Sequence, residues 1–282
     1  MTTHVPGSVC LVVPTRHEQD NVGELLERID AALAPYDFEW QILFVDDSDD
    51  ETPALIEVLA ESYPPGRVRL MHRPPNERRG SIAGAIIAGA QAAGTDVICV
   101  LDADLQHPPE ILPFMIAPLL LDRADVCVPG RYLLGASAEG LERRWRRMAS
   151  RGSGIAIQVV FPETRLVNDP GGGLFALRGE VIEGVRLNPC GFKSLAEVLV
   201  RGRWTRHCEF PYVFERREGG TSKAMLRHGG PFVGHLARMW VDTRLRSGAR
   251  RSPRRKVAPV DPLVLRVGRD PTSPLPARSL ST

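Results

Sequence analysis

Residues 97–110, VICVLDADLQHPPE, form an apolar run that stops at two carboxylates two residues apart, Asp102 and Asp104. In an extended chain, side chains at i and i+2 point the same way. The spacing therefore predicts that both carboxylates and the amide oxygen of Gln106 converge on one hard cation. A set of oxygens alone favours Mg²⁺ or Mn²⁺ over zinc. A lone D-x-D also fits a solvated acidic turn, so its weight depends on what surrounds it. Two other apolar runs end in comparable groups: SVCLVVP leads through Pro14 and Thr15 to Glu18, and WQILFVDD ends in Asp46 and Asp47, followed by Ser48. A carboxylate at such an end suits a ribose or a base, whereas each taken alone suits a cap or turn.

Positioning these groups together requires a sheet. Residues 8–14, 40–47, 68–71, 97–104 and 125–130 read as short buried strands. Helical patterns lie between them. Residues 21–33 place Val22, Leu25, Leu26, Ile29 and Leu33 on one face, and Thr52-Pro53 reads as an N-cap followed by a proline at N1. Residues 81–93 and 109–121 fill the remaining gaps. Alternation of this kind predicts an α/β fold with a mainly parallel sheet covered by helices, which binds ligands beyond the carboxyl ends of its strands.

The 282 residues, 43% of them hydrophobic, suffice for one large domain with appendages. The cysteines at 10, 99, 127, 190 and 208 have no C-x-x-C spacing and read as buried free thiols of a reducing compartment. No signal peptide or membrane span is expected: the run from Ile111 to Leu121 is broken by Pro113 and Pro118 and is shorter than the ~20 residues a span needs. The net charge of +2 conceals an asymmetry, because residues 243–282 hold ten Lys or Arg against two Asp, a surplus of +8 that leaves −6 for the rest. Residues 247–282 are accordingly predicted to form a disordered basic tail drawn to an anionic surface. Without interleaved aromatics for base stacking, that tail does not suit nucleic acid.

Six motifs in order, VVPTRHEQDNVGELL, FVDDSDDET, VICVLDADLQHPPE, VPGRY, NDPGGGLFALR and PYVFERREGGTSK, resemble the family 2 glycosyltransferases of the dolichyl-phosphate mannosyltransferase branch over about residues 8–226. The resemblance implies a GT-A fold and inverting transfer of a sugar from a nucleotide diphosphate, usually GDP-mannose, to a polyprenyl phosphate. It places donor contacts at Pro14, Thr15, Glu18, Asp46, Asp47, Asp102 and Gln106, and the Mg²⁺ or Mn²⁺ at Asp102, Asp104 and Gln106. Arg131, Arg217 and Lys223 match basic positions for donor or acceptor phosphates. Asp104, Arg131 and Asp169 stand as the catalytic set, with Asp169 positioning the acceptor or a cation. The resemblance also implies peripheral association with the cytoplasmic face of a membrane, and leaves open a separate membrane-anchoring protein as partner.

The sequence departs from the family pattern in three loops. Gly172 replaces a serine in a DPGGG run, where added backbone freedom is expected to loosen the acceptor site. The family's glycine-rich segment reads Ser81-Ile82-Ala83-Gly84-Ala85, and Arg16-His17 follows Pro-Thr. His107 adjoins the carboxylates but is not expected as a ligand of an oxygen-bound cation. Residues 227–246 are predicted to form an amphipathic helix that either lies in a membrane interface through Trp240 or packs on the domain. LERRWRRMASR, from Leu141 to Arg151, carries the same ambiguity. Two alternatives stand beside mannosyl transfer: a transferase using a UDP-sugar such as UDP-glucose, and a non-catalytic nucleotide-sugar binder.

Overall fold

The computed structural model describes residues 7–138, 140, 144–188, 193–215, 229–246 and 253–265. Its strands are β1 (Ser8–Thr15), β2 (Glu39–Asp46), β3 (Val68–His72), β4 (Val97–Val100), β5 (Val126–Cys127), β6 (Phe175–Arg178), β7 (Arg206–Cys208) and β8 (Arg255–Val257). They join in one sheet of order β3-β2-β1-β4-β6-β5-β7-β8. The first four strands are parallel, as the alternating pattern predicts, whereas β6 runs antiparallel to both β4 and β5. The helices are α1 (Val22–Leu33), α2 (Thr52–Ala60), α3 (Ser81–Ala92), α4 (Leu112–Leu120), α5 (Arg144–Val160), α6 (Ser194–Arg201) and α7 (Gly229–Arg246).

Alternation along the strands divides the core into two layers. Val9, Leu11, Val13, Ile42 and Phe44 meet the predicted stripe of α1, together with Ile56 of α2 and Met115 of α4. Cys10, Val12, Leu43, Val45, Ile98 and Val100 face Ile86 and Ile87 of α3 and Leu195 of α6. Both faces of the central strands are therefore apolar, which is why they read as continuous hydrophobic runs. Cys10, Cys99, Cys127 and Cys208 are buried free thiols, and burial pushes Cys10 up to about 12. Cys190 lies outside the described residues.

The expected disordered tail is corrected over residues 253–265. β8 continues the sheet beside β7, and a 3-10 turn at Pro262–Leu265 buries Leu265 and accepts the Asp37 amide on the Leu265 carbonyl at 2.8 Å. Backbone pairing at a sheet edge holds these residues in spite of their charge. The domain boundary expected at residue 226 lies outside the described residues.

A small third core lies between α5, α6 and α7, where Ile157, Phe161, Ala196, Val200, Leu236 and Met239 meet. The last helix thus packs on the domain along one side, while Val233, Trp240 and Val241 face outward. His235 is buried 3.3 Å from Glu197, an interior carboxylate that requires a polar partner.

Candidate active site

The carboxyl ends of β1, β2 and β4 bring the three predicted polar segments together, but two of their carboxylates serve the protein itself. Asp46 is fully buried. It accepts the Thr15 hydroxyl at 2.8 Å, the Ser48 hydroxyl at 2.6 Å and the Ser48 amide at 3.1 Å, and lies 2.7 Å from His72 Nδ1. Since a carboxylate only accepts, His72 carries its proton on Nδ1 and locks β3 to β2. Asp47 receives a two-pronged Arg73 guanidinium, Nε at 2.8 Å and Nη2 at 2.6 Å, with both side chains buried. These partners lie 26 residues ahead in sequence.

Around this latch the first loop is tied down. The His17 amide donates to Ser48 Oγ at 2.8 Å, and the Glu18 amide to Thr52 Oγ1 at 3.1 Å. Thr52, expected as the N-cap of α2, is instead its first residue and spends its hydroxyl on the neighbouring loop. The Asn21 amide nitrogen holds the Glu18 carboxylate at 2.6 Å. Pro14, the penultimate residue of β1, stands in register with Val45.

The metal motif also differs from its predicted geometry. β4 stops at Val100, and the chain turns through Asp102–Asp104, so the two carboxylates do not extend from one straight strand. Leu105 has φ 60°, a left-handed backbone that a bulky side chain rarely adopts, and Gln106 N donates to Asp104 Oδ1 at 3.2 Å. This reversal sets the Gln106 side chain. Its Nε2 donates to the Glu215 and Gly140 carbonyls at 3.1 and 3.3 Å, which assigns the amide orientation and turns Oε1 away from them.

Behind this loop stands His107, almost fully buried, with Nε2 3.4 Å from Asp102 Oδ2 and Nδ1 3.1 Å from the Tyr212 hydroxyl. A proton on Nε2 facing the carboxylate leaves Nδ1 to accept from Tyr212. His107 thus bridges Asp102 and Tyr212. Among the described residues no three His, Cys, Asp or Glu side chains converge as a closed metal cage. Asp102, Asp104 and Gln106 offer oxygen donors only, a chemistry that suits a hard cation.

Beside this loop lies a buried charge cluster. Arg131 Nε donates to Asp169 Oδ2 at 2.7 Å, and the guanidinium lies 5.2 Å from the Phe214 ring. Burial disfavours its charge, but the Asp169 carboxylate more than offsets this and raises it above the ordinary arginine value. Lys193, which the sequence does not single out, donates Nζ to the Gly171 carbonyl at 2.9 Å. Burial first, and Arg131 second, lower its ammonium to about 8.

The glycines of DPGGG explain how so many charges fit. A Cβ on Gly171 would fall 2.7 Å from Lys193 Nζ, one on Gly172 3.5 Å from Asp169 Oδ2, and one on Gly173 3.0 Å from Asp102 Oδ2. None of the three has positive φ. The run supplies room for charged neighbours and links the Asp102 carboxylate to the Arg131–Asp169 pair over five residues. Gly84 has a comparable role, since a Cβ there would overlap the Arg79 carbonyl. Close approach is therefore retained in the SIAGA segment. Arg217 and Lys223 lie outside the described residues.

The model of glycosyl transferase family 2 matches residues 10–182. A dolichol-phosphate mannosyltransferase of Pyrococcus furiosus is 36% identical over 82% of this chain and 63% of its own length. The corresponding Saccharomyces cerevisiae enzyme is 30% identical over 76% of this chain and 79% of its own. An undecaprenyl-phosphate 4-deoxy-4-formamido-L-arabinose transferase of Klebsiella pneumoniae is 31% identical over 79% of this chain and 64% of its own. The chain thus spans somewhat under two thirds of the Pyrococcus and Klebsiella relatives. Among solved structures, glucosyl-3-phosphoglycerate synthase of Mycobacterium tuberculosis, in complex with Mn²⁺, UDP-glucose and phosphoglyceric acid, superposes with a TM-score of 0.55 at 14% identity, covering 83% of this chain and 80% of that one. Mannosyl-3-phosphoglycerate synthase of Rubrobacter xylanophilus gives 0.54 at 17%, covering 85% and 74%. At such identities the likeness is one of fold.

Proposed function

Since the chain belongs to glycosyl transferase family 2 and has the GT-A fold, we propose that it transfers a sugar, mannose from GDP-mannose, to a polyprenyl phosphate at a membrane surface. One observation carries this reading. The DPGGG loop lies against Asp102, a carboxylate suited to a cation, and carries Asp169, the acidic partner of a buried arginine–carboxylate pair. Sugar transfer between two phosphates needs both.

The acceptor phosphate, with a second pKa near 6, is already an anionic nucleophile at neutral pH and requires no strong base. Its oxygen forms the new bond to the anomeric carbon from the face opposite the leaving group. The bond from that carbon to the diphosphate oxygen breaks, and the electron pair leaves on the nucleoside diphosphate. A bound Mg²⁺ or Mn²⁺ supplies electrostatic stabilisation of that leaving charge. Asp102, Asp104 and the Gln106 amide oxygen would hold it. Arg131 orients an incoming phosphate while Asp169 fixes the guanidinium, and Arg217 and Lys223 add cations from the following segment. Asp46 and Asp47 shape the nucleotide end of the cleft through their Thr15, Ser48 and Arg73 partners. The three relatives above are named for a polyprenyl phosphate in common and for different sugars, which favours the acceptor class over any one donor. A UDP-sugar is the second reading on that ground.

A membrane-bound acceptor requires a surface that meets lipid. No helix among the described residues is long and apolar enough to cross a membrane. α5 instead presents Trp145, Met148, Ile155 and Val159 outward at i, i+3, i+10 and i+14, the spacing of one helical stripe, and Met148 is 74% exposed. Val233 and Trp240 of α7 are also exposed. Ser150, on the opposite face of the same α5, lies 3.5 Å from Arg131 Nη2, so the helix that carries the stripe adjoins the proposed acceptor site. We expect the triple substitution Met148→Glu, Ile155→Glu, Val159→Glu to prevent flotation with anionic vesicles. Transfer to a long-chain acceptor in those vesicles should fall at least about tenfold, given roughly 1.5–3 kcal/mol for burial of each large apolar side chain. Transfer to a short, water-soluble polyprenyl phosphate should stay unchanged. Equal flotation of both proteins would remove the membrane role of α5, and loss of transfer to both acceptors would place the stripe inside the catalytic site instead.

A further inference from the structure

Residues 253–265 return from α7 to the far edge of the sheet, and their charged side chains reach the active-site loop through one buried carboxylate. β8 lies parallel to β7 with His207 opposite Lys256, and the Arg255 amide donates to the Thr205 carbonyl at 2.7 Å. The Arg254 guanidinium sits 3.9 Å from the Trp204 ring centre. Further along, the Leu265 carbonyl accepts the Asp37 amide. The segment is thus fastened at both ends and forms a strap.

Next on β7's path stands Glu209, whose side chain is fully buried. Its Oε1 accepts the Asn168 amide at 2.6 Å, and its Oε2 accepts Asn168 Nδ2 at 2.7 Å and Lys256 Nζ at 2.7 Å. A carboxylate in such a place requires a cation and several donors. Only Lys256 among these three donors is charged. A second tie runs in parallel: His207, also buried, has Nε2 2.9 Å from the Leu166 carbonyl and Nδ1 3.2 Å from the Arg255 carbonyl. Both connections end on residues 166–168, immediately before Asp169. That residue holds Arg131, and the glycines after it touch Lys193 and Asp102.

We propose that Lys256 and Glu209 are positioning residues for sugar transfer, through which the strap fixes the DPGGG loop by holding Asn168. The inference rests on the function proposed above for its catalytic consequence, though the mechanical part stands independently of it. The strap therefore belongs to the working enzyme despite lying outside residues 10–182, the span matched by the family model. Lys256 touches no substrate and acts through Glu209 and Asn168 on Asp169 and Arg131.

The test compares Lys256→Met and Lys256→Arg in the full chain by amide hydrogen exchange and by steady-state kinetics. Lys256→Met should speed exchange of the Asn168 amide at least about tenfold, the effect of losing one charge-assisted hydrogen bond, while amides of β1 exchange as before. With a donor and acceptor that the unmodified protein uses, kcat should fall about tenfold or more, the loss typical of removing an outer-shell support, with the donor KM within about twofold. Lys256→Arg should restore both. Asn168→Ala removes the Nδ2 bond to Glu209 Oε2 while the backbone amide and the Lys256–Glu209 pair stay in place; it should lower kcat in the same direction, by part of the Lys256→Met loss, even if Lys256→Met folds poorly. Unchanged exchange at Asn168 in Lys256→Met would overturn the proposal. So would faster exchange with undiminished kcat, or an equal loss in Lys256→Arg. If the unmodified protein transfers no sugar at all, the functional reading fails, and exchange alone still decides whether the strap holds the loop.

Discussion

Asp104→Asn should lower kcat for sugar transfer by about 100-fold or more, the order of loss found when one electrostatic stabiliser of a developing charge is removed. The substitution is nearly isosteric. Its remaining carbonyl oxygen can still accept the Gln106 amide, which Asp104 Oδ1 accepts at 3.2 Å, so the turn at Leu105 should persist and the melting temperature should change little. What disappears is one negative charge from the cation's oxygen set. Asp102→Asn should act similarly, and EDTA should abolish turnover of the unmodified protein until Mg²⁺ or Mn²⁺ is restored. Turnover undiminished by chelator, or in either variant, would contradict the assignment of this loop to a metal.

Arg131→Leu should destabilise the fold and abolish transfer together, and a second substitution separates the two effects. Removing the guanidinium strands the Asp169 carboxylate, which is 4% exposed and 2.7 Å from Arg131 Nε. Breaking a buried pair at one partner costs roughly 3–5 kcal/mol, because the other charge is left uncompensated. Adding Asp169→Asn removes that charge and should recover most of the lost stability, measured as the urea midpoint. Transfer should not return in the double variant, since the phosphate-facing cation is still missing. Recovery of both stability and transfer would reduce the pair to a structural ion pair.

The first half of the fold is legible because its strands are buried on both faces and its helices carry one-sided stripes; Val22 to Leu33 is the plainest case. The second half is not. β6 is four residues long and gives no sign in FALR that it runs antiparallel; β7, RHC, buries His207 and Cys208 but is only three residues long, and β8, RKV, is held by edge pairing rather than by burial of its own side chains. Composition therefore misassigns residues 253–265 to a disordered tail.

The site divides in the same way. Which loops converge follows from strand ends, but what each carboxylate does depends on partners distant in sequence. Asp46 and Asp47 acquire theirs from His72 and Arg73 at the end of β3, and Asp169 acquires Arg131 across 38 residues. Lys193 and Glu209 are single charged residues in mixed segments, and only burial reveals them. DPGGG is visible as unusual, but its reason, close approaches of Gly171 to Lys193 and of Gly173 to Asp102, requires coordinates.

The central claim is transfer of a sugar to a polyprenyl phosphate, and its most direct measurement is the appearance of labelled sugar in the lipid phase. The purified protein, a short-chain polyprenyl phosphate and Mn²⁺ are incubated in parallel with GDP-mannose, GDP-glucose and UDP-glucose, each labelled in the sugar. The expected result is metal-dependent label in a polyprenyl sugar phosphate of inverted anomeric configuration, with GDP-mannose giving the highest kcat/KM. Lipid label from UDP-glucose alone would keep the reaction and change the donor. Label that stays in water with every donor, although the protein binds one of them, would contradict the claim and leave a nucleotide-sugar-binding protein without turnover.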